Sequence, residues 1–197
     1  MTVEPVTLSG ETVRLEPLTI DHVAPLCAVG LDPELWRWIV APVTNAAEMR
    51  EYVEIALAEQ RRGASLPFVI VDRASETVIG STRFANIDAA HRRVEIGWTW
   101  ITAAHQRTRT NTEAKRLLLT HAFESLGAMR VELKTDALNA RSRAAILRIG
   151  AVEEGTLRRH QMTASGRVRD NVYFSILDTE WPAVKTRLIE KLAVRSS

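Results

Sequence analysis

Apolar residues alternate with polar ones at Leu8, Val13 and Leu15, broken by Ser9-Gly10-Glu11, which predicts a bent strand or strand pair over residues 6–18. Thr19-Ile20-Asp21 carries a helix-start signal for a short helix through Leu26. Asp32-Pro33 begins another turn, followed by the aromatic patch Leu35-Trp36-Arg37-Trp38-Ile39. Over residues 45–62 the apolar positions Met49, Val53, Ala56 and Leu57 recur at helical spacing, and Gly63 makes a suitable C-cap. Three strands are then expected in succession: 68–71, its hairpin partner 78–84 across a turn at 72–76, and 93–101, rich in β-branched and aromatic residues. A helix over 112–125 places Leu117, Leu118, His121 and Ala122 on one side, with Gly127 beyond its end. A strand at 130–135 leads to a helix at 140–149 stopped by Gly150. Strands at 152–157 and 172–176 flank a polar hairpin around Ser165-Gly166, and a helix at 178–193 follows.

An antiparallel run of strands followed by a crossover helix and a final strand pair predicts a mixed α/β fold. No internal repeat, low-complexity tract or linker divides the chain, so a single domain over 1–197 is expected.

Composition adds less than the pattern does. With 46% hydrophobic and 25% charged residues, the chain reads as an ordinary globular protein. No apolar run approaches the ~20 residues of a membrane span, and residues 1–11 lack the apolar stretch of a secretory signal. Cys27 is the single cysteine, so no intrachain disulfide can form; a cytoplasmic location is expected. The histidines lack ligand spacing, so no metal is expected. The distribution of charge is more informative. Residues 92–169 hold 15 Lys and Arg against 7 Asp and Glu, whereas the rest of the chain holds 11 against 17. Such a basic segment within a chain of net charge +2 suits an anionic ligand.

The chemistry concentrates where Val94-Glu95-Ile96-Gly97-Trp98-Thr99-Trp100-Ile101-Thr102 leads, through a short basic loop, into the helix start Asn111-Thr112-Glu113-Ala114-Lys115. A helix N-terminus offers free N–H groups and the positive end of the dipole, a natural phosphate site, and Arg107 and Arg109 add charge. Further on stand Asp136-Ala137-Leu138-Asn139-Ala140-Arg141-Ser142, then Ile149-Gly150-Ala151-Val152-Glu153-Glu154-Gly155-Thr156-Leu157-Arg158 and Arg169-Asp170. On these motifs, in this order, nearly the whole chain resembles the Gcn5-related N-acetyltransferase (GNAT) superfamily, in the branch of ribosomal-protein N-terminal acetyltransferases of the RimJ/RimL type.

That resemblance implies a mostly antiparallel central sheet flanked by helices, with a V-shaped splay that holds acetyl-CoA as co-substrate. Pantetheine would pair with the backbone of Trp100, Ile101 and Thr102 like an added strand. The pyrophosphate would sit on the amides of Arg107, Thr108, Arg109, Thr110 and Asn111, after Gln106. The family pattern Arg/Gln-x-x-Gly-x-Gly/Ala has Arg109 at its usual first glycine, expected here in helical conformation with a guanidinium free to reach a cofactor phosphate. Asn139 would cap the next helix and bond the pantetheine arm, and Ser142 would point at the CoA sulfur; both also read as an ordinary N-cap and helix serine. Glu95 is open between an ion pair with Arg83 or Lys134 and a general base acting through water, with Gly97 and Thr99 in alternation leaving room for an amine. Trp36 and Trp38 are expected partly in the core and partly as acceptor-site wall with Arg83, and Tyr173 as an alternative proton donor. The expected reaction is acetyl transfer to a primary amine: a protein N-terminus, a free amino acid, a polyamine or an antibiotic amine. A homodimer is compatible with the sequence; no membrane and no nucleic-acid partner is expected, aromatic residues being only 6%. The rival readings are a non-catalytic acyl-CoA-binding module and, behind it, a nucleic-acid-binding protein.

Overall fold

The computed structural model describes residues 1–193; the last four positions of the expected 1–197 domain lie outside the described residues. Its strands are β1 (Leu8–Ser9), β2 (Val13–Pro17), β3 (Leu66–Asp72), β4 (Thr77–Asp88), β5 (Arg93–Ile101), β6 (Arg130–Asp136), β7 (Val152–Met162) and β8 (Val168–Leu177). They form a sheet in the order β1-β2-β3-β4-β5-β6-β8-β7, antiparallel except between β5 and β6. The helices are α1 (Val23–Gly30), α2 (Pro33–Trp36), α3 (Ala46–Arg61), α4 (Arg109–Thr120), α5 (Ala140–Arg148) and α6 (Trp181–Ala193). The parallel β5–β6 pair follows from chain order, since α4 carries the chain across one face before β6 returns in the same direction.

Both faces of the sheet are covered. Val53, Ala56 and Met49 of α3, with Leu26 and Trp36, pack against Val69, Val71 and Trp100 on one face. Leu118 and Leu119 of α4, Ile146 of α5 and Leu188 of α6 pack against Phe68, Ile70, Val131 and Phe174 on the other. This explains why β3 reads as an unbroken apolar run rather than an alternation: Leu66 to Val71 is buried on both sides. Each fully buried side chain of this size contributes roughly 1.5–3 kcal/mol.

Two differences from the sequence expectation matter for the site. The helix expected from residue 112 begins at Arg109, because the Thr108 hydroxyl caps Thr110 N–H at 3.2 Å and closes the first turn three residues earlier. Beyond Thr120 it continues through a π turn, His121–Ser125. In β5, Ser81 pairs with Trp100 but Arg83 pairs with Gly97, so Thr82 faces two residues and the strand bulges at Trp98-Thr99. Trp98 takes φ +49° there.

Candidate active site

β5 and β6 are in register over only three pairs, Arg93–Arg130, Val94–Val131 and Glu95–Glu132. Beyond them β5 stays with β4 and β6 stays with β8, so the sheet splits. The split opens into a cavity of about 860 Å³ that runs from the N-terminus of α4 to the face covered by α3. Trp100 and Ile101 line it from β5, Thr135 from β6, and Asn139 and Ser142 from the start of α5. Gln106, Arg107, Thr108 and Asn111 line its other end.

That end has the geometry of an anion site. Arg107, at φ +62°, reverses the chain just before the Thr108 cap, and Gln106 Nε2 fastens the loop to the Ile101 carbonyl at 2.8 Å. Arg109 is helical, as expected, but its guanidinium is not available to the cavity. It bonds the Leu192 carbonyl and Glu11, the latter at 3.3 Å, and so ties α4 to α6 and to the β1–β2 turn. Thr102 and Thr110 also lie off the cavity wall; the Thr102 N–H is taken by the Ile79 carbonyl at 2.9 Å.

At the other end, Glu95 is 2% exposed. Its Oε2 accepts from Asn86 Nδ2 at 2.8 Å and Lys134 Nζ at 3.0 Å, so Lys134, not Arg83, is its cation. Its Oε1 has no hydrogen-bond partner among the described residues and lies 3.0 Å from where a Gly97 Cβ would stand. Gly97 is thus the space that the carboxylate uses. The bulge breaks the expected alternation: Thr99 turns to the α4 face, where its hydroxyl meets Thr82 and Lys115, while the Trp98 ring lies beside Arg83 and Lys134.

Two expectations are corrected. Trp36 is not an acceptor wall: it is 1% exposed, packed between Tyr52 and Trp100, with its indole N–H on the Gly30 carbonyl. Trp38 does line the cavity, and its carbonyl receives Arg169. Tyr173 stands off the wall, edge-on to His160, and burial raises its phenol above the ordinary value. Ser142 lines the cavity with its N–H capped by Asn139 Oδ1 at 3.0 Å, so Asn139 is an N-cap that also borders the split.

Lys115 belongs to the helix-start motif, whose pattern assigns it no role. It is buried, it lines the cavity, and burial pushes its ammonium down to about 7. Its hydrogen-bond partner is the Thr99 hydroxyl, at 2.6 Å. The available signal was a lysine on the apolar stripe of α4 beside Ala114 and Leu118. Cys27 is half-buried in α1, against the α3-side core. Among the described residues no group of three His, Cys, Asp or Glu side chains could hold a metal, and no helix is long and apolar enough to cross a membrane.

A family model described as an acetyltransferase (GNAT) domain matches residues 12–152. The chain belongs to the GNAT family. A GCN5-related N-acetyltransferase from Brucella melitensis is 33% identical, with TM-score 0.89 over 97% of this chain and 87% of that one. RimJ of Mycobacterium smegmatis, solved in complex with CoA-disulfide, is 25% identical, with TM-score 0.82 over 95% of each chain. The ribosomal-protein-serine acetyltransferase of Escherichia coli K12 is 25% identical over 87% of this chain and 96% of its own. The split β5–β6 sheet is therefore that of a GNAT acetyltransferase of the RimJ/RimL type.

Proposed function

We propose that this acetyltransferase uses acetyl-CoA and moves the acetyl group to a primary amine, a protein N-terminal α-amine or a small-molecule amine, on one GNAT domain. The observation that carries this reading is the split itself. One cavity joins the capped, basic start of α4 to the acceptor-side carboxylate Glu95. A phosphate-bearing thioester can enter at one end and an amine at the other. The CoA-disulfide held by the M. smegmatis RimJ and the name of the E. coli relative support that assignment.

In this reading the α4 N-terminus, with Arg107 and Thr108, takes the pyrophosphate. The open edge of Trp100 and Ile101 takes the pantetheine arm beside Asn139. The amine attacks the thioester carbonyl directly: the C–N bond forms, the C–S bond breaks, and the amine's proton leaves towards the free oxygen of Glu95 through water. A bulge leaves one strand residue outside the ladder, so an N–H of Trp98-Thr99 is the candidate donor to the carbonyl oxygen. Ser142 donates to the departing sulfur. A thiol of pKa ~8.5 needs little help, and an α-amine near about 7.7–8.0 is partly neutral at pH 7.

The test combines a melt with an amine panel. Acetyl-CoA at 100 times its dissociation constant should stabilise the protein by about 2.7 kcal/mol. Turnover against α-amines, lysine side chains and polyamines, with product masses, identifies the acceptor. A melt unmoved by millimolar acetyl-CoA would sink the reading.

A further inference from the structure

Arg83 lies in the middle of β4, opposite Gly97, and its side chain is 2% exposed. Its guanidinium carbon is 4.9 Å from the centroid of the Tyr52 ring and 5.0 Å from one centroid of Trp98. The aromatic neighbours hold the planar group in place through cation–π contact. A guanidinium carries five N–H donors. Among the described residues Arg83 spends one of them, Nη1 on Glu59 Oε2 at 3.2 Å, and Nε is buried with no partner at all. A buried cation left this short of acceptors is costly, and native structures rarely tolerate it without a reason. Trp98 reaches Arg83 from a left-handed backbone position, at φ +49°.

Arg83, Tyr52, Trp98 and Glu95 all line the acceptor end of the cavity. We infer that Arg83 is a specificity-determining residue, receiving an acyl oxygen on the carbon next to the acceptor amine. The inference rests on the amine-acetylating reading and deepens it. The amine sits towards the free oxygen of Glu95, and the neighbouring carbonyl meets the unused donors of Arg83. Arg83 is already neutralised by Glu59 and Lys134 by Glu95, which leaves no net positive charge for a free carboxylate, so the oxygen is that of an amide. The acceptor is therefore the first residue of a peptide rather than a polyamine or a lysine side chain, neither of which carries that oxygen beside its amine.

Two measurements test this. In thermal melts with CoA present, N-acetylalaninamide and N-isopropylacetamide share a skeleton and differ in the acyl group. The first should stabilise the wild-type protein and the second should not, and Arg83→Lys should remove the difference. In turnover, Arg83→Lys should lower kcat/KM for alaninamide at least roughly tenfold more than for isopropylamine, the scale of a charge-assisted hydrogen bond. Comparing each amine with itself across the two proteins cancels amine basicity. A trialanine amide should match or exceed alaninamide, and alanine itself should be the poorest of the three. Equal falls for both amines would make Arg83 a structural anchor of α3, and equal melts with the two amides would remove the contact altogether. If alanine is preferred, the receptor is for a carboxylate and the peptide assignment is wrong. If neither amine is acetylated, the transferase reading fails, and the melts still decide the role of Arg83.

Discussion

Lys115 places an ammonium under the cavity floor with a hydroxyl for company and no carboxylate hydrogen-bonded to it. Its folded pKa of about 7 lies below the ordinary 10.5, so folding favours the neutral amine. Below pH 7 the group is charged in both states and burial costs its full penalty. Between about 7 and 10.5 the unfolded chain holds the proton that the folded one has lost, so stability climbs with pH, by up to ~1.4 kcal/mol per unit. Lys115→Met should flatten that slope and raise the melting temperature at pH 6–7; parallel Tm–pH curves for the two proteins would refute it. At Ser142, loss of the hydroxyl should lower kcat ten- to a hundredfold, about 1.4–2.7 kcal/mol, with the dissociation constant for acetyl-CoA nearly unchanged. A raised KM with unaltered kcat would move Ser142 to binding. Gly97→Ala would drive a methyl group onto Glu95 Oε1, now 3.0 Å away, and should depress turnover while the acetyl-CoA melt shift persists.

Among the elements, α4 borders one end of the cavity with its N-terminus and is pinned at its first turns. The Glu113 carboxylate accepts the backbone N–H groups of Glu11, Thr12 and Val13 at 2.7–3.1 Å and the Thr12 hydroxyl as well. Burial pushes this carboxyl up, but the four donors outweigh it and hold its pKa below the usual value. Its contribution is therefore present above pH ~4.5 and lost as pH falls through the depressed value. Glu113→Gln should cost about 1.5–3 kcal/mol at pH 7 and blunt acid unfolding, measured by urea melts from pH 7 to 3. Gly10 belongs to the same clasp, since a Cβ there would stand 2.6 Å from the carboxyl carbon. Arg109, bonded to Leu192 and Glu11, pins the same turn from the other side. Arg109→Ala should lower Tm and leave the KM for acetyl-CoA unchanged. Arg109→Gly should be less stable again by at most about 1 kcal/mol, because the position is helical. A glycine variant that binds acetyl-CoA much more tightly than the alanine one would contradict that helical placement.

For the whole molecule, periodicity carried the element order, since every expected helix and strand has a counterpart within a few residues. The family motifs carried the split and the α4 end of the cavity. What stayed illegible depends on contacts distant in sequence or on one broken repeat. Nothing in Trp98-Thr99 announces a bulge, yet it reverses which side chains face Glu95. Trp36 and Trp38 look alike in sequence, and only the packing of Tyr52 and Trp100 sends one to the core and leaves the other on the cavity. The destination of Arg109 lies 83 residues away, at Leu192.

The three-pair seam between β5 and β6 also has a dynamic meaning. Two half-sheets joined by so short a ladder, and otherwise by the helices packed across them, should open against each other as cooperative units. Whatever fills the split stitches the halves together, so its effect should reach far beyond the residues it touches. In amide hydrogen exchange, acetyl-CoA should slow not only the cavity edge at Trp100 and Ile101 but also β6 and β8 across the split. Protection confined to the edge would mean that the seam alone already locks the sheet.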